Sequence, residues 1–300
     1  MIDNITILNG EKMEKRYGSI EAGGTKFVLA IGDEALGIIN THQIPTTTPK
    51  ETLSKAISFF KENSVDAIGV GAFGPLDINS DSPTYGYITA TPKPSWEGVD
   101  LLGKIKDKLN LPISFTTDVN ASAYGEMVTT GLKDIVYFTI GTGIGGSAVQ
   151  KGRFIGRRGH AEMGHQTVKR HPKDVDFEGI CPFHKDCLEG LASGPTISAR
   201  LKKRGEDVEE NDEVWELISY YIAQAAVNAT LTLVPERIIL GGGVMSQSSM
   251  LKKVQRHFLD LLNGYVSLPC DIQDYITLPS VENNGSATVG NFALAALKTS

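Results

Sequence analysis

The nine residues Phe138-Thr139-Ile140-Gly141-Thr142-Gly143-Ile144-Gly145-Gly146 constrain this chain more than any others. An apolar run, Ile135-Val136-Tyr137-Phe138, delivers them, so a buried strand leads into a turn whose glycines let backbone approach a ligand closely. As a pattern the stretch also satisfies Gly-x-Gly-x-x-Gly, the dinucleotide fingerprint, which demands a helix directly after the glycines. The next residues, Ser147-Ala148-Val149-Gln150-Lys151-Gly152-Arg153-Phe154, read instead as a second strand and another turn. The expectation is a glycine-rich β-hairpin suited to phosphate, with no nicotinamide cofactor.

A second copy lies near the start. Tyr17-Gly18-Ser19-Ile20-Glu21 reads as a strand, Ala22-Gly23-Gly24-Thr25-Lys26 as a glycine turn and Phe27-Val28-Leu29-Ala30-Ile31 as a returning strand. One glycine turn between strands is ordinary in any β-protein. Two in the same order, each with Gly and Thr in the turn, predict an internal duplication. A Walker phosphate loop is excluded by order, because Lys26 follows Thr25 and a strand comes next, where that motif needs Gly-Lys-Ser/Thr opening a helix. Hydroxyl and backbone N–H groups in such a turn still suit phosphate oxygens.

Around the hairpins the pattern alternates strand and helix. Leu53, Ala56, Ile57 and Phe60 recur at helical spacing between Pro49 and Ser64, and Ala67-Ile68-Gly69-Val70-Gly71 reads as a buried strand ending at the turn-rich Ala72-Phe73-Gly74-Pro75-Leu76-Asp77. The segment Ser80–Trp96, with Pro83, Gly86, Pro92 and Pro94, is a long loop, either a surface excursion or a cleft wall. A helix over 100–109 precedes the strand Ile113–Thr117, which ends in Asp118 and Asn120 before another helix. An acid after a strand is most often a helix N-cap, yet open α/β sheets also place their ligands at strand carboxyl ends. A helix over 211–234 stops at Pro235; the strand Arg237-Ile238-Ile239-Leu240 then runs into Gly241-Gly242-Gly243-Val244, a turn with room for a flat base or ribose. Helices over roughly 249–262 and 285–297 close the chain.

The segment 159–191 carries most of the metal chemistry. His165, Cys181, His184 and Cys187 supply four nitrogen and sulfur ligands, three of them in Cys-x-x-His-x-x-Cys, a closed set suited to structural zinc. Zinc there would tie down the loop 166–180, which shows no core of its own, and fix the flanking acids Glu162 and Glu189; zinc binding energies of about 10–16 kcal/mol suffice to order such a loop. The odd count of three cysteines fits a reducing cytosol better than disulfides. At 300 residues the chain has length for two lobes, and its net charge of −6 argues against a nucleic-acid or anionic-membrane partner. No apolar stretch approaches the roughly 20 residues of a membrane span, and the polar residues 1–15, with Met13 as an alternative start, carry no secretory signal pattern.

Taken together, Glu21-Ala22-Gly23-Gly24-Thr25-Lys26, Thr117-Asp118-Val119-Asn120, the hairpin at 139–146, Glu162-Met163-Gly164-His165 with the Cys/His cluster, and Gly241-Gly242-Gly243 resemble the ordered signatures of the ROK sugar kinases, within the sugar kinase, Hsp70 and actin superfamily. The likeness covers about residues 17–297. It is strongest to the bacterial zinc-containing fructokinases, through the Glu-Ala-Gly-Gly-Thr-Lys opening and Cys181-Pro182-Phe183-His184 with Cys187-Leu188-Glu189-Gly190. The resemblance implies an α/β fold of two ribonuclease H-like, actin-like ATPase lobes around a cleft, with a small zinc-bound loop in the second lobe. The implied division is an extension at 1–16, a first lobe at 17–117 joined by the C-terminal helix 285–298, and a second lobe at 118–284 holding the zinc segment 159–190.

By the same resemblance the chain is an ATP-dependent hexose kinase, converting D-fructose to fructose 6-phosphate. Kinases for glucose, mannose or an N-acylhexosamine are the alternatives, and a non-catalytic sugar-sensing regulator ranks below them. Asp118 is implied as general base, with Asn120, Glu162, His165, Glu189 and Gly74 toward the sugar. Gly23, Gly24, Thr25, Lys26, Gly141, Thr142, Gly143, Gly241 and Gly242 are implied toward the nucleotide, with Mg²⁺. His165, Cys181, His184 and Cys187 would ligate the zinc. His184 stands where the family usually has a third cysteine, Glu21 where it prefers Asp, and Ala161 where it often has Pro. A cytoplasmic homodimer is also implied.

Overall fold

The structure, a computed structural model, describes residues 14–91, 93–156, 158–281 and 285–299. Most of the expected N-terminal extension, Met13 included, lies outside the described residues, as do 282–284 at the expected end of the second lobe.

In the first half β1 (Tyr17–Ala22), β2 (Lys26–Gly32) and β3 (Ile38–Pro45) run antiparallel in sequence. Helix α1 (Pro49–Glu62) returns the chain so that β4 (Ala67–Ala72) lies parallel to β1, and α2 (Leu101–Leu109) does the same for β5 (Ile113–Thr117) beside β4. The sheet order is β3-β2-β1-β4-β5. Side-chain caps open these helices: Thr48 accepts from the Glu51 N–H ahead of Pro49, and Asp100 accepts from the Gly103 N–H at 2.7 Å.

After α3 (Asp118–Thr130), the second half repeats the plan. β6 (Asp134–Ile140), β7 (Ile144–Gln150) and β8 (Arg153–Phe154) are antiparallel, and α4 (Leu188–Ala192) and α5 (Gly194–Leu201) follow the long segment after β8. Helix α6 (Val214–Leu233) leads to β9 (Arg237–Gly241), parallel to β6. Helices α7 (Met250–Leu262) and α8 (Ile272–Tyr275) lead to β10 (Ile276–Thr277), parallel to β9, giving the order β10-β9-β6-β7-β8. Strand for strand this matches the first sheet, and α9 (Ser286–Ala296) follows β10 as α3 follows β5. The duplication expected from the two glycine turns is therefore present as topology.

Each sheet has its own core. Ile20, Phe27, Leu29, Phe60, Val70, Trp96 and Ile105 fill the first, and Val136, Phe138, Ile218, Tyr221, Ile222 and Phe258 the second. Burying each such side chain stabilises the fold by about 1.5–3 kcal/mol. Helix α6 is apolar on nearly every side because it lies inside the second core, whereas α1 is buried on one face only.

Helices α3 and α9 meet backbone to backbone. A Cβ on Gly125 would stand 1.9 Å from the Ser286 carbonyl oxygen, and one on Gly290 would stand 1.8 Å from that of Ala121. Glycine at both positions lets α9, which also lies against β4 at Gly69, hold α3 against the first sheet. From its other side α3 packs on β6 and β7 of the second.

Candidate active site at the meeting of two glycine hairpins

Both expected hairpins form. The first turn, between β1 and β2, closes with the Gly23 N–H donating to the Lys26 carbonyl at 3.0 Å. It is braced from outside, where the Thr46 hydroxyl donates to the Gly23 carbonyl and the Thr46 N–H to that of Thr25. Between β6 and β7 the Gly141 N–H donates to the Gly143 carbonyl at 2.9 Å, and Gly141 accepts from the Gly194 N–H at the start of α5. A Cβ on Gly141 would meet nothing within 4 Å, so this turn faces open space.

Asp118 begins α3. The N-cap is Thr117, whose hydroxyl accepts from the Asn120 N–H at 3.0 Å, which releases the aspartate from capping. Its half-buried carboxyl accepts only from the adjacent Val119 N–H, at 2.9 Å, among the hydrogen bonds of the described residues. Burial pushes its pKa up to about 6, opposed by the N–H groups of Val119 and Asp118. Glu21, at the end of β1, is pushed up to about 7 by burial and then by the charge of Asp118, with Lys26 pulling the other way. The charge of Asp118 thus adds to burial in disfavouring ionisation of Glu21.

The second hairpin touches the same turn of α3. A Cβ on Gly145 would lie 2.6 Å from Val119 Cγ2, so glycine allows β7 to close on Asp118's neighbour. One carboxylate oxygen of Glu189, at the start of α4, accepts from the Ile144 N–H at 2.8 Å, and the other lies 3.9 Å from His165 Nε2. A Cβ on Gly143 would come within 2.7 Å of that first oxygen. Glu189 thus connects the second hairpin to the metal-ligand cluster.

In that cluster one ligand atom from each of His165, Cys181, His184 and Cys187 lies within 4.8 Å of the others. His165 Nδ1 is 3.7 Å from Cys181 Sγ and 3.5 Å from Cys187 Sγ, and His184 Nδ1 is 3.8 Å from Cys181 Sγ. Ligand bonds of about 2.3 Å to sulfur and 2.0–2.1 Å to nitrogen at tetrahedral angles give separations of this size, so the four donors fit a zinc ion. The second imidazole nitrogen of His165 faces Glu189, the kind of carboxylate partner that orients a metal-ligating histidine.

Other expected site residues have protein partners of their own. Asn120 is only 3% exposed; its amide donates to Thr116 Oγ1 at 2.9 Å and accepts from Ser147 Oγ at 2.6 Å, so it braces β5 and β7 beneath Asp118. Lys26 directs its ammonium to Gln43 on β3, at 3.2 Å. The segment 166–180 does have anchors of its own. Buried Asp174 pairs through both oxygens with Arg200, at 3.0 and 2.7 Å, and accepts from the Tyr221 hydroxyl at 2.8 Å. Arg200 lies over the Phe177 ring, and Arg170 donates to the carbonyls of Asp174, Val175 and Phe177.

Glu162 is exposed and lies 3.2 Å from His160 Nδ1, while His160 Nε2 accepts from the Leu76 N–H at 3.4 Å. Gly74 lies beside the same imidazole. His160, a residue the sequence did not single out, therefore joins the turn after β4 to Glu162 of the other half. Its one sequence signal was its place two residues before Glu162. Gly241 ends β9 and Gly242 follows it with φ 90°, and a Cβ on Gly241 would collide with the Tyr137 hydroxyl at 2.4 Å.

A sequence model of the ROK family matches residues 17–298. The chain is 60% identical over 283 residues to a fructokinase of Lactococcus lactis subsp. cremoris, covering 94% of this chain and 98% of that one. It is 54% identical over 288 residues to a fructokinase of Streptococcus mutans, with the same coverage. Among solved structures, the ROK hexokinase of Thermus thermophilus superposes with a TM-score of 0.76 at 21% identity, over 95% of this chain and 99% of that one. That agreement places the doubled sheets in the expected two-lobed α/β fold, and with a family match spanning both lobes the chain belongs to the ROK family.

Proposed function

We propose that the protein is an ATP-dependent fructokinase, transferring the γ-phosphoryl group of ATP to a hydroxyl of D-fructose to give fructose 6-phosphate. One observation supports the reading: a recessed, weakly engaged carboxylate, Asp118, lies near both hairpins, its charge felt at Glu21 before the first turn and its neighbour Val119 packed on Gly145 after the second. The relatives named fructokinase support the choice of sugar.

Phosphoryl transfer asks a protein mainly for positioning and charge neutralisation. Gly24, Thr25, Thr142 and Gly143 offer backbone N–H groups and hydroxyls to phosphate oxygens, Gly23 and Gly141 hold the two turns closed with their own N–H groups engaged inside them, and Gly241 and Gly242 leave room for the adenosine. Asp118 accepts the hydroxyl proton, and its raised pKa suits a base working near neutrality. Glu162, His165 and Glu189 orient the sugar hydroxyls, while Asn120 holds the turn beneath them. Paired acids such as Glu21 and Asp118 suit a Mg²⁺ that accompanies the nucleotide and offsets its charge. His165, Cys181, His184 and Cys187 would hold a structural zinc. Three free cysteines, two of them in this ligand set, support a reducing cytoplasmic setting, and no described helix is long and apolar enough to cross a membrane. The lobe boundaries at 117/118 and 284/285 and a homodimer complete the reading on family grounds.

The test is a coupled ADP-release assay over a panel of hexoses. Fructose is expected to give the highest kcat/KM, and Asp118→Asn to lower kcat by about 10²–10⁴ with little change in fructose affinity. Near-normal turnover by Asp118→Asn removes that residue from the role of base, and a preference for glucose, mannose or an N-acylhexosamine reassigns the substrate.

A further inference from the structure

Two lysines border the first glycine turn, and they point in different directions. Lys26 turns its ammonium outward to Gln43. Lys93, from the long loop after β4, reaches the turn itself: a Cβ built on Gly24 would stand 3.6 Å from Lys93 Cε. Lys93 is half-buried, and among the described residues no hydrogen bond or ion pair engages its ammonium. A lysine recessed against a phosphate-type turn with its charge unpaired is placed to meet an anion.

Its position is held from behind. Three residues on, Trp96 is fully buried, its ring centroid 5.5 Å from that of Phe27 and 5.8 Å from that of Phe73. The indole N–H donates to the Thr47 carbonyl at 2.9 Å, and the Trp96 backbone N–H donates to the Lys93 carbonyl at 2.9 Å. Thr47 adjoins Thr46, which braces the Gly23–Thr25 turn. One connected set of contacts therefore fixes both the turn and the backbone that presents Lys93 to it.

We propose that Lys93 contacts the γ-phosphoryl oxygens of ATP and is a catalytic residue of the transfer; this rests on the reading of the protein as a kinase. As the sugar oxygen bonds to the γ-phosphorus, the bond from that phosphorus to the β–γ bridging oxygen breaks, the electron pair leaves with ADP, and the hydroxyl proton passes to Asp118. The charge carried by the moving group falls beside the Lys93 ammonium. A fixed cation there acts where water is excluded and needs no reorganisation as the reaction proceeds.

The test pairs nucleotide binding with turnover. In the full-length protein with Mg²⁺, Lys93→Met is expected to weaken the non-hydrolysable triphosphate AMPPNP at least tenfold while leaving ADP within threefold, and to lower kcat with fructose by about 10²-fold. Lys93→Arg, which keeps the charge, is expected to restore AMPPNP binding to within threefold of the unaltered protein. Equal losses for AMPPNP and ADP, or unchanged AMPPNP binding, overturn the proposal, as does an Arg variant no better than Met. The binding ratio needs no sugar, so absence of turnover on every hexose would refute the kinase reading while the ratio still decides Lys93.

Discussion

At the residue scale the site holds two carboxylates, Asp118 and Glu21, away from their usual titration range. Asp118 at about 6 and Glu21 at about 7 both lie above the range of exposed acids. A folded-state pKa above the unfolded value means that the unfolded chain releases the proton first. Stability is therefore lost as pH rises from about 4 through about 6 for Asp118 and through about 7 for Glu21, and the penalty of the buried charges is complete above that window. Asp118→Asn is expected to raise the thermal midpoint at pH 8 and to raise it less at pH 5. In the unaltered enzyme the acid limb of kcat/KM is expected near pH 6, since the base works deprotonated; a limb near pH 4, or a midpoint gain that does not depend on pH, would show that Asp118 is not desolvated as described. The sequence marked Asp118 through its place after a strand. It could not separate base from cap, because that distinction belongs to Thr117, whose hydroxyl takes the cap. Asn120, His160 and Lys93 were harder still, because their partners Ser147, Leu76 and Gly24 lie 27, 84 and 69 positions away, and no local pattern records such pairings.

At the element scale the hairpins and long helices were legible because buried strands and amphipathic helices write their period into the sequence. Strand β3 was not: it is an edge strand with most side chains exposed, so it shows no alternation, and β10 is too short to show any. The segment 166–180 looked coreless for a related reason. Its anchors, Asp174 and Phe177, meet Arg200 and Tyr221 far along the chain. This makes metal and loop separable. Metal analysis is expected to find about one zinc per chain. On chelation, hydrogen exchange is expected to quicken first at 181–187, with slower exchange persisting around Asp174. Arg200→Met is expected to reverse that order and to cost roughly 3–5 kcal/mol, because it leaves the buried Asp174 carboxylate without its cation. Simultaneous release of both segments by chelation would restore zinc as the sole organiser.

At the scale of the whole molecule the two sheets are repeats joined through α3 and α9, which makes that crossing the expected pivot for closing a cleft between them. Gly125 and Gly290 bring the helix backbones into contact, and Glu126, fully buried on α3, fastens the chain as it returns to the first sheet. Its carboxylate accepts from the Ser280 and Val281 N–H groups and from the hydroxyls of Ser280 and Ser286, all on the α9 side of the crossing. The contacts of this knot span Ala121 to Glu126 of α3 and oppose sliding of the two helices. A Cβ at position 290 has no space to enter, so Gly290→Ala must part the helices; overpacking of this kind costs about 1–3 kcal/mol, or a fall of roughly 2–5 °C in thermal midpoint for a chain of this length. Because Gly290 abuts Ala121, within one turn of Asp118 on the same helix, the same substitution is expected to lower kcat with fructose and to reduce the compaction that fructose produces in small-angle scattering. A Gly290→Ala protein that keeps its midpoint and compacts normally would show that the lobes do not pivot at this crossing.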